Sequence, residues 1–327
     1  MKTRMSCGVL AVWAALCVGC LRLATAEEAS PLTDDLSWAI RLFEKYPLAL
    51  SSDITYRTAN NFEAKLDVFQ PLGNQSLRPT VMFIHGGGWI GSFNKNTYSY
   101  IFLPVLQRGW IVVNVDYRPS SVSPAPAAVE DCLCALRWIG HNAPAYHIDL
   151  RQLVIMGQSA GGLLALTTGM IPPAASGIGG PCDYNDATGY PLRSPPSADP
   201  PPRPAAIVNW SGPTDMLDQT EGPHQQPYAV IWLGGSADPS LARKVSPLSY
   251  VRAGLPPIVS VYGDRDIQVP YDEGVRLHSA LSKAGVTNKL ITIAGAEHGI
   301  FGTVPARDAW LQVFDFLQKA GVTAGVD

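Results

Sequence analysis

Leu153-Val154-Ile155-Met156-Gly157-Gln158-Ser159-Ala160-Gly161-Gly162-Leu163-Leu164-Ala165-Leu166 is the stretch on which the reading of this chain turns. Its first four residues are an apolar run of the kind a buried strand needs, and its last four read as the start of a helix. Between them stands G-x-S-x-G in the strand-turn-helix context of a nucleophile elbow. So sharp a turn forces unusual backbone angles on the serine. A side chain two positions before or after it would collide across the turn, hence glycine at 157 and 161. The turn lifts the Ser159 hydroxyl to the N-terminus of a helix, where backbone N–H groups favour developing negative charge.

Working outward, other buried runs end in residues that complement a serine. Val81–Ile84 leads into His85-Gly86-Gly87-Gly88-Trp89. Consecutive glycines let backbone N–H groups approach an oxyanion. Gly87, Gly88 and Ala160, the residue after the candidate nucleophile, are the expected donors. Such donors meet charge that exists only in the transition state, and losing one costs roughly 3 kcal/mol. A phosphate-binding loop is disfavoured because the P-loop lysine and the G-x-G-x-x-G spacing are both missing. Pro257–Tyr262 leads into Gly263-Asp264-Arg265-Asp266-Ile267-Gln268-Val269-Pro270, and Lys289–Ala294 leads into Glu297-His298. Serine, then aspartate, then histidine is the chain order of an α/β-hydrolase triad. On this reading His298 takes the Ser159 proton, and an aspartate fixes the imidazole tautomer and stabilises the imidazolium. Asp264 and Asp266 both stand in the right loop. Trp89, Gln158 and Trp210 are candidate substrate contacts, although a structural place for Trp210 fits equally well. Asp116-Tyr117-Arg118 reads as a structural ion pair near the end of the sheet. Glu130 and Asp131 read as solvated or helix-local charges.

The remaining pattern sets the architecture. Ile54–Thr58 and Lys65–Phe69 alternate like an antiparallel pair around Asn60-Asn61. Buried runs then follow at Val81–Ile84, Trp110–Val115, Leu153–Met156, Ala206–Trp210, Pro257–Tyr262 and Lys289–Ala294. Helical segments are expected at Leu36–Tyr46, Tyr100–Gln107, Ala127–Ile139, after Ser159, at Tyr271–Ala284 and at Arg307–Lys319. Alternating strands and helices imply a mostly parallel sheet covered on both faces. Residues 171–204, rich in proline and glycine, break the rhythm. They read as a surface excursion of a single domain, with a wrap towards the substrate cleft as the rival.

Composition narrows the class. The 327 residues are 46% hydrophobic and 16% charged, which suits one large core. Residues 1–26 resemble a secretory signal: Lys2 and Arg4, an apolar run from Val9 to Val18, then Ala24-Thr25-Ala26. Lipoprotein processing at Cys20 is the rival. The apolar run is short for a membrane span. Cleavage after Ala26 leaves 21 basic against 27 acidic residues, which argues against nucleic acid and anionic membranes as partners. It also leaves three cysteines. Cys132 and Cys134 point to different faces of one helix, and either one pairing with Cys182 or three buried free thiols fits an exported chain. No zinc-ligand spacing occurs, and no cofactor is expected.

Taken together, His85-Gly86-Gly87-Gly88-Trp89, Asp116-Tyr117-Arg118, Gly157-Gln158-Ser159-Ala160-Gly161-Gly162, Ser246-Pro247, Pro256-Pro257, Asp266-Ile267-Gln268-Val269-Pro270 and His298-Gly299 resemble the hormone-sensitive-lipase-like carboxylesterases. The nearest branch includes bacterial feruloyl esterases, and the chain is also similar to arylformamidases. The resemblance runs from about Ile54 to Phe316, with 171–204 unmatched. It implies an α/β-hydrolase fold, a D-x-x-V-P aspartate at Asp266, and the glycine-loop oxyanion hole. It further implies a small-molecule or polysaccharide-linked ester as substrate, possessing feruloyl or acetyl groups if the target is plant polysaccharide. Pro119-Ser120 and the lack of a long lid helix before the first strands depart from the family pattern. The same triad would serve an amide or formamide hydrolase, and a non-catalytic binding protein on this scaffold is the third reading.

Overall fold

A chain whose apolar runs carry no polar face must bury both sides of its sheet. That is the organisation of the computed structural model, which describes residues 47–73, 76–91, 99–172, 178, 182, 201–221, 224–235, 238–298 and 304–323. All of them belong to one compact unit, Leu42–Asp327. The expected leader at 1–26 with its Cys20, the helix expected at Leu36–Tyr46 and most of 171–204 lie outside the described residues.

Strands β1 (Leu48–Ala59) and β2 (Phe62–Pro71) form the antiparallel hairpin, with its turn at Asn60-Asn61. Next come β3 (Arg78–Ile84), helix α1 (Ser99–Leu106), β4 (Ile111–Val115), α2 (Ala127–Asn142), β5 (Ile148–Gln158) and α3 (Ala160–Met170). After β6 (Ala206–Trp210) the chain runs through three short helices, α4 (Met216–Thr220), α5 (Pro227–Trp232) and α6 (Pro239–Val245), and a 3₁₀ turn (Pro247–Tyr250). It closes with β7 (Ile258–Gly263), α7 (Tyr271–Lys283), β8 (Asn288–Ile293) and α8 (Val304–Lys319). The eight strands lie in the order β1-β2-β4-β3-β5-β6-β7-β8. β2 is antiparallel to both β1 and β4, and every pairing from β4 to β8 is parallel.

Every residue of β3, β4, β6 and β7 is buried, as continuous apolar runs require, whereas the edge strands β1 and β8 are partly exposed. Parallel pairing brings the carboxyl ends of β3, β5, β7 and β8 to one rim of the sheet. Ligands bind in the crevice outside that rim in open α/β sheets. The mostly parallel α/β architecture read from the sequence is therefore the one observed. Periodicity did not separate α4, α5 and α6, since five to seven residues are too few to show a helical stripe. Among the described residues no helix is long and apolar enough to cross a membrane.

Asp131 corrects the sequence reading. It is not solvated: its side chain is 0% exposed. It accepts from Arg57 Nη1 at 2.7 Å, from Arg118 Nε at 2.8 Å and from the Arg118 backbone N–H at 2.9 Å. Glu130 joins the same pair of guanidinium groups at 3.2 and 3.4 Å. Helical spacing carried Asp131 to the inward face of α2, and two arginines from other elements neutralise it there. Cys134 forms a disulfide with Cys182, and Cys132 is a buried free thiol.

Candidate active site

The turn after β5 has the geometry its glycines imply. Ser159 has φ 54° and ψ −123°, a region that costs a side-chain-bearing residue on the order of 1–3 kcal/mol. Its backbone N–H donates to the Trp210 carbonyl of β6 at 2.8 Å, and its carbonyl accepts from Gly162 at 2.8 Å, so the angle is held from both sides. A Cβ on Gly157 would strike the Gly161 carbonyl, and one on Gly161 would strike the carbonyls of Ile84 and His85. The elbow is thus packed against the loop that leaves β3.

His298, past the end of β8, reaches the elbow across 139 residues of sequence: its Nε2 lies 2.8 Å from Ser159 Oγ. Its Nδ1 lies 2.7 Å from Asp266 Oδ2. The carboxylate can only accept, so Nδ1 carries the proton and Nε2 is left as the acceptor for the serine hydroxyl. Asp266 is itself oriented, because its Oδ1 accepts the backbone N–H groups of Gln268 and Val269, both at 2.9 Å. Val269 is fully buried and Pro270 caps α7. That is the physical content of D-x-x-V-P: an aspartate closing a turn, an anchor residue, and a proline launching a helix. Asp264 does not face His298. It accepts the Gly295 N–H at 2.6 Å and ties the loop after β7 to the loop after β8.

The glycine loop shows three successive residues at positive φ: Gly87 (113°), Gly88 (60°) and Trp89 (59°). Among the described residues no hydrogen bond is donated by the backbone N–H of Gly87, Gly88 or Ala160. Ala160 opens α3, where first-turn N–H groups have no intrahelical acceptor. The base of the loop is held by His85, whose Nε2 lies 3.1 Å from Asp116 Oδ1 and whose ring stacks on Tyr117 at 4.4 Å. The Tyr117 hydroxyl donates to the His85 carbonyl at 3.0 Å. The structural reading of Asp116-Tyr117-Arg118 therefore acquires a purpose, since this segment anchors the loop and, through Arg118, the Asp131 network.

Trp89 departs from its expected role, whereas Trp210 takes the structural place that fitted it equally well. Trp89 is fully buried, donates its indole N–H to the Ala160 carbonyl at 3.2 Å, and stacks on Trp232 at 4.2 Å. Instead of touching substrate, it couples the glycine loop to the first residue of α3 and so sets the relative position of the expected oxyanion donors. Trp210 is also buried, its ring 5.0 Å from that of Trp310, and it supports the elbow through its backbone carbonyl. Trp210 ends a buried strand and Trp89 stands in the loop that follows one, and the core claims both large apolar surfaces. Gln158 is buried at the elbow itself.

The sequence reading did not identify Tyr228 on α5, which no motif marks. Its ring lies against Gly88, where an added Cβ would come within 3.0 Å of Tyr228 Cγ. Burial, together with the charges of Asp266 and Glu273, raises its phenol above the ordinary value, so the hydroxyl stays protonated. Among the described residues no cluster of His, Cys, Asp and Glu is arranged to hold a metal ion.

A family model described as BD-FAE matches residues 66–281, which bears out the resemblance drawn from the motifs. Lipase 2 of Moraxella sp. is 29% identical over 249 residues, covering 67% of this chain and 54% of that protein. Esterase LipI of Mycobacterium tuberculosis is 27% identical over 245 residues, covering 71% of this chain and 70% of that protein. The chain thus spans about half the length of the first relative and more of the second. Among solved structures, a propionate-bound thermophilic esterase from Thermogutta terrifontis superposes with a TM-score of 0.67 at 24% identity, covering 86% of this chain and 97% of that one. A truncated carbohydrate esterase from gut microbiota gives 0.67 at 22% identity, covering 84% and 97%. At these identities the structural likeness establishes the α/β-hydrolase fold.

Proposed function

Since the chain belongs to the BD-FAE family, we propose that it is a serine carboxylic ester hydrolase working through an acyl-enzyme on Ser159. The observation that carries this reading is the line from Ser159 Oγ to His298 Nε2 (2.8 Å) and from His298 Nδ1 to Asp266 Oδ2 (2.7 Å). Ser159 Oγ attacks the ester carbonyl while His298 Nε2 takes its proton. The carbonyl oxygen becomes an oxyanion, received by the N–H groups of Gly87, Gly88 and Ala160. As the carbon–oxygen bond to the alcohol breaks, His298 returns the proton to the leaving oxygen and the acyl group remains on Ser159. A water molecule, deprotonated by His298, then attacks the acyl carbon. The carboxylic acid leaves and Ser159 recovers its proton.

The substrates proposed are short acyl or aryl esters, with feruloyl or acetyl decorations of plant polysaccharide as the natural target. The motif resemblance and the signal-like residues 1–26, which suit an exported enzyme, support that choice. The test is hydrolysis of p-nitrophenyl acetate, butyrate and octanoate, methyl ferulate and acetylated xylan by the native protein and by Ser159→Ala. A folded Ser159→Ala should lose about 10⁶ in kcat. Unchanged turnover in that variant would overturn the nucleophile assignment. Activity confined to the p-nitrophenyl esters would overturn the polysaccharide assignment.

A further inference from the structure

Tyr228 spans the two loops that build the cleft. Its ring covers Gly88 of the glycine loop, and its hydroxyl stands 3.5 Å from the carbonyl of Gln268, two residues past the triad aspartate. At that length the hydroxyl is weakly engaged. The ring is only partly buried, and it is backed by the buried Trp89 with centroids 6.1 Å apart. Two apolar side chains close to it in sequence or space are open to solvent. Ile231 lies one helical turn further along α5, on the same face, and is 50% exposed, while Ile267, directly after Asp266, is 82% exposed. The Gln226 side chain on the same segment reaches the Ile267 carbonyl at 3.5 Å, so α5 and the aspartate loop are neighbours here. Single exposed apolar residues need no explanation, but a half-buried tyrosine ring with exposed isoleucines on its own helix and on the aspartate loop beside it offers apolar surface next to the triad.

We propose that the Tyr228 ring is the specificity-determining wall of the cleft, against which an aromatic group of the ester stacks beside Gly88. This inference rests on the reading of Ser159 as the nucleophile of an ester hydrolase. Gly88 has no side chain, which lets the Tyr228 ring sit directly against the loop, and its φ of 60° disfavours any replacement. A ring of the substrate meets Tyr228 in an offset-stacked or edge-to-face arrangement. The protonated phenol keeps the wall uncharged. Its hydroxyl, barely held by Gln268, is free to turn towards an oxygen on that ring.

The experiment measures kcat and KM for ethyl acetate, phenyl acetate and methyl benzoate with the native protein, Tyr228→Ala and Tyr228→Phe. The native protein is expected to favour at least one aromatic ester over ethyl acetate. In Tyr228→Ala that preference, as a ratio of kcat/KM, should fall about tenfold, equivalent to about 1.4 kcal/mol, with the loss in KM. Tyr228→Phe, which keeps the ring, should retain the preference. Loss confined to phenyl acetate puts the wall on the alcohol side of the ester, and loss confined to methyl benzoate puts it on the acyl side. An equal fall for all three esters, a loss in Tyr228→Phe matching that in Tyr228→Ala, or a native protein with no aromatic preference would each overturn the proposal. Failure of the underlying reading looks different: ethyl acetate hydrolysis is then absent, or it persists in Ser159→Ala.

Discussion

Asp266 and Asp131 are two buried aspartates that hold basic groups at the same 2.7 Å, yet they serve opposite ends. Asp131 is closed on all sides. Two guanidinium groups and a backbone N–H take up its oxygens, and Arg118 also donates to the Ala127 carbonyl, so the network joins the hairpin, the loop after β4 and α2. Asp266 is open at one end. Its partner His298 turns its other nitrogen to a serine hydroxyl instead of a second acid. The lesson is that a buried aspartate and its basic partner become chemical machinery only when one member has its reactive atom left over. Where all atoms are matched, the pair serves the fold.

That comparison breaks first at the open site. Asp266→Asn should keep the fold but leave His298 in the wrong tautomer, with a fall in kcat of about 10⁴. Circular dichroism and ester turnover on the same sample check both halves. The closed site should behave in the reverse way. Asp131→Ala leaves two buried guanidinium groups without their shared anion, and destabilisation of about 3–5 kcal/mol is expected in urea unfolding. The fraction still folded should retain its triad, so active-site titration with a fluorophosphonate would give turnover per labelled serine near that of the native protein.

A third buried carboxylate sharpens the contrast at smaller scale. Glu273 accepts from the Thr214 and Asp215 N–H groups and from Gln219 Nε2, yet burial still raises its carboxyl above the ordinary value. A folded-state value above the unfolded one means that its contribution to stability is full below the unfolded value and is lost as pH rises through the folded value. Glu273→Gln removes that charge and keeps an acceptor. Gln219 Oε1, buried without a partner among the described residues, can accept the new N–H. The Tm of Glu273→Gln relative to the native protein should therefore be higher at pH 8 than at pH 5. The smallest effect is expected at Asp264, which bonds a loop N–H and not His298. Asp264→Asn should lower kcat by only about threefold, set against the 10⁴ expected at Asp266 two residues away.

The legibility of the site follows how local its constraints are. The elbow could be read directly, because strand, turn and helix lie within one run and backbone sterics demand glycine at 157 and 161. The glycine loop was legible for the same reason. His298 was legible from its place after the last strand and from chain order. Trp89 was misplaced and Trp210 was left open, since a tryptophan beside a motif fits a pocket wall and a packed core alike. Tyr228 was missed because it sits on a six-residue helix with no motif.

Sequence by itself determined the sheet and the elbow. Uninterrupted Val/Ile/Leu runs can only be buried on both faces, and a nucleophile turn tolerates only small residues around the serine. The D-x-x-V-P resemblance points to Asp266 over Asp264, and the structure agrees. Tertiary structure alone decided which of Cys132 and Cys134 meets Cys182, that Asp131 lies inside, and that Tyr228 covers Gly88. Each of these depends on a meeting between side chains from separate elements. Two cysteines two positions apart carry almost the same local pattern, and only the packing of the sheet and its helices distinguishes the directions in which they point.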